Sequence, residues 1–194
     1  ITKYIGSLKG EGEVESAKDL GIYSPNNVIK EEISKGLESK SEVEIIFSGE
    51  FLGTDDDAFS LSLFSKYLEE EIRIKVREEL SGTYGVSVFS FVRDYPYKKY
   101  ILGIYFGCEP GREEELINAC FSVIDKVKEG VVNQEGLNAV INNFNRSMEL
   151  NLKNNDFWLN SIKNSVLRGK SFEDILDMNT SFITKDKFIT IVKN

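Results

Sequence analysis

A long amphipathic helix followed directly by two strands does most to decide the fold class of this chain. Between Asp55 and about Leu80, apolar residues recur every three or four positions. They form one face, made of Leu61, Phe64, Leu68, Ile72, Val76 and Leu80. Ser81 and Gly82 end the helix, and Gly82 permits the positive φ of a helix C-cap or tight turn. Two strands follow, YGVSVFSFV and KYILGIYFG, and the second is apolar almost throughout, as expected for a central strand.

The region before this helix predicts one clear strand and one weak strand. In SEVEIIFSGEF, which starts at Ser41, apolar and polar residues alternate, as in a half-buried strand. The segment VIKEEISK at 28–35 is only weakly patterned and predicts an edge strand whose charges discourage pairing. Thr54 with Asp57 three residues later resembles a capping box for the long helix.

The region after the hairpin predicts only helices. One lies within CEPGREEELINACFSVIDKVKEG, a second spans about 134–153, and a third begins at Asn155. Ser171 and Thr184 are placed to cap two shorter helices. Strands joined by a hairpin, with the helices segregated from them, predict an α+β fold. Its expected architecture is an antiparallel β-sheet with α-helices packed on one face.

Composition narrows the possible functions. The chain has 194 residues and a net charge of −8, and its basic residues are interleaved with Glu and Asp. Without a basic patch, nucleic acid is not an expected partner. No apolar run approaches the roughly 20 residues that a membrane-spanning helix needs. We therefore expect no membrane segment.

Histidine is absent, and this excludes several kinds of active site. The chain alone cannot form a His-based zinc site, a Ser-His-Asp triad or a Cys-His pair. Its two cysteines, Cys108 and Cys120, are predicted to be free thiols. The run of three aspartates at 55–57 suits a helix N-terminus, so we expect no metal there.

The ends of the chain predict a piece of a larger protein. Residues 1–21 resemble the exit of a preceding domain followed by a polar linker, and residues 22–194 form one domain. The chain begins at Ile1 and stops at Asn194 within a helical pattern. We expect truncation at the C-terminus, which leaves open whether the last strand of the sheet lies beyond residue 194.

Two residues flanking the helix–strand turn are the candidate functional residues. Arg77 lies in the last helical turn, and Tyr84 lies where the next strand begins. One interpretation is an exposed cation at a helix end and a half-buried strand residue. The other is a guanidinium and a phenol that converge on a carbonyl or carboxylate group.

The string VREELSGTYGV, which contains both residues, resembles the C-terminal domain motif of pitrilysin (insulysin-type) zinc metallopeptidases, the inverzincins. Three further stretches resemble the same family in the same order. They are KYIGSL at 3–8, ISKGLESKSEVEIIFSGEF at 33–51 and NNDFWLNSI at 154–162. The last is similar above all to bacterial PqqL-like members. Together these stretches cover nearly the whole chain.

The resemblance implies a clamshell of homologous domains of LuxS/metallohydrolase-like fold. One half carries zinc through an H-x-x-E-H motif and a distant Glu, and the other contributes an Arg and a Tyr. Zinc polarises the scissile carbonyl and activates water. Because this chain has no histidine, the resemblance makes it the C-terminal, non-zinc domain. Zinc would be bound by another domain, on the same polypeptide or on a partner subunit.

The resemblance assigns Arg77 and Tyr84 catalytic roles at the substrate carbonyl oxygen, with Gly82 in the turn as a third substrate-binding residue. The substrates would be peptides, and this chain alone would be inactive. The turn sequence SGT replaces a Lys- or Gln-containing turn of many members, which leaves subsite preference open. The alternative is a non-catalytic scaffold or partner subunit, as in processing peptidases and respiratory core proteins.

Overall fold

The computed structural model describes residues 20–83, 85–94, 97–169 and 179–193, together with 2–4, 6–8, 18 and 171. Over these ranges the chain forms three strands, five α-helices and one π-helical segment. In order they are β1 (Ser41–Glu50), α1 (Asp55–Arg73), the π-helical segment (Ile74–Glu79), β2 (Val86–Arg93), β3 (Lys99–Cys108), α2 (Glu113–Lys128), α3 (Gln134–Asn151), α4 (Asn155–Arg168) and α5 (Lys185–Lys193). None of these described helices combines the length and apolar character needed to cross a membrane.

The described strands form an antiparallel sheet in the order β1-β3-β2. Val43 of β1 and Val86 of β2 both pair with Phe106, so β3 is the central strand, as its apolar sequence predicts. Inward-facing positions of β1 alternate with exposed glutamates such as Glu42 and Glu44. This alternation places one face of the sheet against the helices.

The core lies between that face of the sheet and the helices. The apolar face predicted for α1 is buried as expected, and Ile72 and Val76 are fully inaccessible. On the side of the core away from the sheet, Phe188 of α5 packs against α1. Its ring centroid lies 5.3 Å from that of Phe64 and 5.4 Å from that of Tyr67. The α+β prediction, a sheet with helices on one face, is confirmed.

The start of α1 is capped as predicted and also carries an unpredicted tertiary contact. The Thr54 backbone N–H donates to Asp57 Oδ2 at 2.7 Å, and the Asp57 N–H donates to Thr54 Oγ1 at 3.3 Å. Asp57 Oδ1 also accepts from Lys187 Nζ of α5 at 2.5 Å. A capping residue therefore fixes the last described helix to the first.

The prediction of an edge strand at 28–35 is wrong. These residues form no helix or strand and pair with no strand in the described part of the chain. Val28 and Ile33 are 96% and 82% exposed. With no apolar face to bury, nothing fixes such a segment against the sheet. The short helix predicted after Ser171 falls at residues 172–178, outside the described residues.

Candidate functional site

The helix that carries Arg77 does not end as an α-helix. From Ile74 to Glu79 it continues as a π-helix, and Leu80 closes it. A π-helical turn contains an additional residue, so it changes the direction of the side chains that follow; such turns occur often at functional sites. Val76 stays fully buried within this segment, while Arg77 is exposed. The local distortion thus keeps the apolar face in the core and leaves the guanidinium in solvent.

Arg77 differs from the cations beside it in having no carboxylate partner among the described residues. Arg73 binds Glu78 at 2.6 Å, and Lys75 binds Glu79 at 2.6 Å. Arg73 also contacts Glu70 at 2.6 Å. Arg77 forms no hydrogen bond or ion pair with any residue in the described ranges. A guanidinium in this state has all of its N–H donors available for a ligand.

In the turn after the π-helical segment, residues 80–83 (the connecting turn), Gly82 does not have the positive φ that its position suggested. The residue with positive φ is Ser81, at 49°, and not Gly82. Gly82 is buried, and a Cβ placed on it would lie 2.4 Å from Leu116 Cδ2. Its N–H donates to the Val76 carbonyl at 2.9 Å. Glycine is therefore required here for close packing against α2, rather than for its backbone conformation.

Tyr84 lies outside the described residues, so its pairing with Arg77 remains a prediction. Both of its neighbours are described. Thr83 Oγ1 donates to the Gly107 carbonyl at 2.6 Å, which attaches the connecting turn to the end of β3. The Gly85 N–H donates to Thr83 Oγ1 at 3.2 Å. The backbone on each side of Tyr84 is thus attached to the sheet through one threonine.

Arg112, which the sequence analysis did not identify, contacts the connecting turn from α2. Its Nη2 donates to the Leu80 carbonyl at 3.2 Å, and its Nη1 donates to the Ser81 carbonyl at 3.4 Å. Glu115 accepts from the same guanidinium through both carboxylate oxygens at 3.0 Å. The sequence does offer one signal: Arg112 is a cation at a helix N-terminus, which the helix dipole disfavours.

The two cysteines take no part in nucleophilic chemistry at this site. Both are free and buried, as predicted. Burial raises the pKa of the Cys120 thiol to about 12 and also raises that of Cys108. Because the reactive form of cysteine is the thiolate, these thiols are unreactive near neutral pH.

The donor groups of this chain do not fit a zinc site. The sequence contains no histidine. Within the described ranges, no group of three or more Cys, Asp or Glu residues is arranged to hold a metal ion. The aspartates at 55–57 lie in the first turn of α1, as expected for a helix N-terminus, and Asp57 also makes the unpredicted contact with α5.

Comparison with known proteins decides the family. Residues 1–144 match the family model described as the peptidase M16 inactive domain. The chain belongs to this family. The resemblance to pitrilysin-type peptidases is thereby confirmed, and this domain is the inactive C-terminal type found in zinc-protease-like proteins.

Two curated relatives of this M16 domain are probable zinc proteases named PqqL. The Escherichia coli protein is 27% identical over 181 residues, which cover 87% of this chain and 18% of the relative. The Haemophilus influenzae protein is 27% identical over 132 residues, which cover 66% of this chain and 14% of the relative. This chain therefore spans less than a fifth of the length of either relative.

A solved structure supports the fold of this M16 domain. The crystal structure of the periplasmic protease PqqL from Escherichia coli superposes with a TM-score of 0.64 at 23% identity. The match covers 80% of this chain and 18% of that protein. At this identity the likeness demonstrates the shared fold, and function has to be argued from the site.

Proposed function

We propose that this chain is the substrate-binding, non-zinc domain of a zinc metalloendopeptidase that cleaves peptides in a closed chamber. Arg77 and Tyr84 donate hydrogen bonds to the substrate carbonyl oxygen, opposite zinc that another domain or a partner subunit carries. This chain alone has no hydrolytic activity in this proposal. The partners are the zinc-carrying half and the peptide substrate.

The observation that supports this proposal is the state of Arg77. At a helix end where Arg73 and Lys75 are both paired with glutamates, Arg77 is exposed and unpaired among the described residues. The helix dipole favours a cation at this helix end, but it does not require the guanidinium to stay unpaired beside so many carboxylates. A site that receives a carbonyl or carboxylate needs this free donor.

The chemistry proposed for the pair is stabilisation of developing negative charge. A guanidinium and a phenol are both hydrogen-bond donors, and neither is a base near neutral pH. Placed on opposite sides of the connecting turn, they would both donate to an oxygen that gains charge as the peptide bond is attacked. One such donor commonly lowers the activation barrier by roughly 2.7–4 kcal/mol. A non-catalytic scaffold would need neither donor.

Substitution of the pair in the full-length protein tests this role. We expect Arg77→Ala and Tyr84→Phe each to lower kcat by roughly 10²–10³-fold, the usual loss for one oxyanion donor. Arg77 is exposed and makes no described contact, so Arg77→Ala should leave the unfolding temperature unchanged. Cleavage of a fluorogenic peptide, calorimetry and zinc content would be measured for each variant.

Lys75→Ala is the matched control, because Lys75 lies on the same π-helical segment but is paired with Glu79. It removes the same charge two residues away, and we expect near-normal kcat. Normal turnover in both Arg77→Ala and Tyr84→Phe would exclude the proposed role and favour the scaffold alternative.

A further inference from the structure

The connecting turn sets the relative placement of Arg77 and Tyr84, since it is the only covalent link between the helix and β2. Within the part of the chain that the structure describes, three contacts fix it from outside. Arg112 binds its first two carbonyls, Leu116 packs against Gly82, and Gly107 accepts from Thr83. Two of these three contacts come from the start of α2, which therefore acts as the support for the turn.

Arg112 is placed unfavourably for its own helix and favourably for the preceding one. It is the N-cap residue of α2, where the helix dipole disfavours a cation, and its side chain makes no capping hydrogen bond. Its guanidinium lies instead at the C-terminal end of the π-helical segment. There the last carbonyls lack partners within the helix and carry partial negative charge. This explains why an arginine occupies the position.

The shape of the contact also requires arginine. The guanidinium donates to two successive carbonyls while both oxygens of Glu115 accept from its other N–H groups. Glu115 orients the planar group, so its donors point at the turn. A lysine ammonium has no rigid fork and cannot make these four hydrogen bonds together.

We propose that Arg112 is a positioning residue for the Arg77–Tyr84 site. It holds the connecting turn so that the two donors are aimed at one substrate oxygen, and Glu115 keeps it oriented. This inference rests on the proposed function, because a positioning residue requires a site to position. Displacement of catalytic groups by about 1 Å can reduce rates by roughly 10²-fold, so the turn geometry is a sensitive point for catalysis.

The experiment uses the full-length protein and compares Arg112→Gln with Lys128→Gln. Lys128 lies on the same helix and forms an i,i+3 ion pair with Asp125, as Arg112 does with Glu115. Both substitutions remove one charge and one ion pair from α2, but only Arg112→Gln frees the turn carbonyls. We expect a kcat loss of about 10–10²-fold for Arg112→Gln with KM little changed, and near-normal kcat for Lys128→Gln.

Two further variants separate positioning from folding. Glu115→Gln keeps the guanidinium but weakens its support, and a smaller kcat loss is expected. Arg112→Lys should restore only part of the kcat that is lost in Arg112→Gln. Circular dichroism and the unfolding midpoint identify any variant that is not folded at the assay temperature, and Glu115→Gln then provides the comparison in place of Arg112→Gln.

A double-mutant cycle identifies the route of the effect. If Arg112 acts through the site, Arg112→Gln should cost little more in an Arg77→Ala background. Equal losses in both backgrounds would overturn the inference, as would a kcat loss for Arg112→Gln no larger than for Lys128→Gln. If Arg77→Ala and Tyr84→Phe both had normal kcat, the proposed function would be excluded first, and the inference with it.

Discussion

At the residue scale, the contact between Gly82 and Leu116 leads to a prediction about stability. A methyl group added at Gly82 would lie 2.4 Å from Leu116 Cδ2, and Leu116 is fully buried. We expect Gly82→Ala to destabilise the fold by about 1–3 kcal/mol, the usual cost of overpacking a core. Denaturant unfolding of the 194-residue chain measures the change.

Gly85→Ala is the control for this prediction, since a Cβ there would meet no atom within 4 Å. We expect its stability to stay within about 1 kcal/mol of the original chain. Adding Leu116→Ala to Gly82→Ala should cost less than the sum of the single changes, because the shorter side chain makes room. Equal stability of the two alanine variants would contradict the packing argument.

The sequence could identify Arg77 and the turn glycine, but not what surrounds them. The position of Gly82 at a helix end is a local signal, and Arg77 and Tyr84 lie within one short motif. The Arg112 contact joins residues separated by 32 positions, and such pairing has no local signature. For the same reason, the sequence did not show that Gly82 packs against Leu116, a residue far away along the chain.

At the element scale, the capping residue of α1 also attaches α5, and this makes the contact sensitive to pH. Hydrogen bonds from Lys187 and from Thr54 lower the pKa of Asp57 from 3.8 to about 2. Because the folded-state pKa is the lower one, the carboxylate stabilises the fold at pH values above the unfolded pKa of about 3.9. This stabilisation is lost as the pH falls through about 2.

We therefore expect Asp57→Asn to lower the free energy of unfolding by about 1–2 kcal/mol at neutral pH. This value already allows for solvent screening, because Asp57 and Lys187 are partly exposed. The difference from the original chain should narrow below about pH 4 and close near the folded pKa. Urea unfolding at a series of pH values measures it. Asp56→Asn is the control: it removes one negative charge from the same helical turn but leaves the ion pair between Asp57 and Lys187 intact. It therefore measures the contribution of the helix dipole alone. A difference that stayed constant with pH would contradict the assignment.

The spacing of apolar residues was sufficient to predict most helices and strands. It failed where the apolar residues were too few to form a buried face, or where the segment was too short to distinguish two kinds of helix. The face of α1 and the alternation in β1 are long patterns, and both were confirmed. The segment at 28–35 has isolated apolar residues, so its predicted strand had nothing to pack against. The π-helical segment keeps Val76 in the core as an α-helix would, and a pattern of apolar residues over so short a segment cannot separate the two.

At the scale of the whole molecule, the proposed function assigns substrate binding and zinc binding to different domains. This chain supplies a packed sheet-and-helix domain, to which the proposed function adds two hydrogen-bond donors beside the connecting turn. It contains no histidine, and its described residues form no metal-binding cluster. The regions matched by this chain make up only 14% and 18% of the relatives named as zinc proteases. In the proposed enzyme, zinc is bound by another domain or by a partner subunit.

This division predicts that zinc removal affects activity without affecting this domain. The isolated 194-residue chain should hold less than one zinc per molecule and should unfold at the same temperature with and without a chelator. The reason is that the chain has no histidine and the part that the structure describes holds no metal-ligand cluster. The full-length protein should lose peptide cleavage under the same treatment. Metal analysis and calorimetry test the first statement, and a peptide assay tests the second. If the chelator lowered the unfolding temperature of the isolated chain, a structural metal would lie within this domain, and the assignment of zinc to another part of the protein would be incomplete.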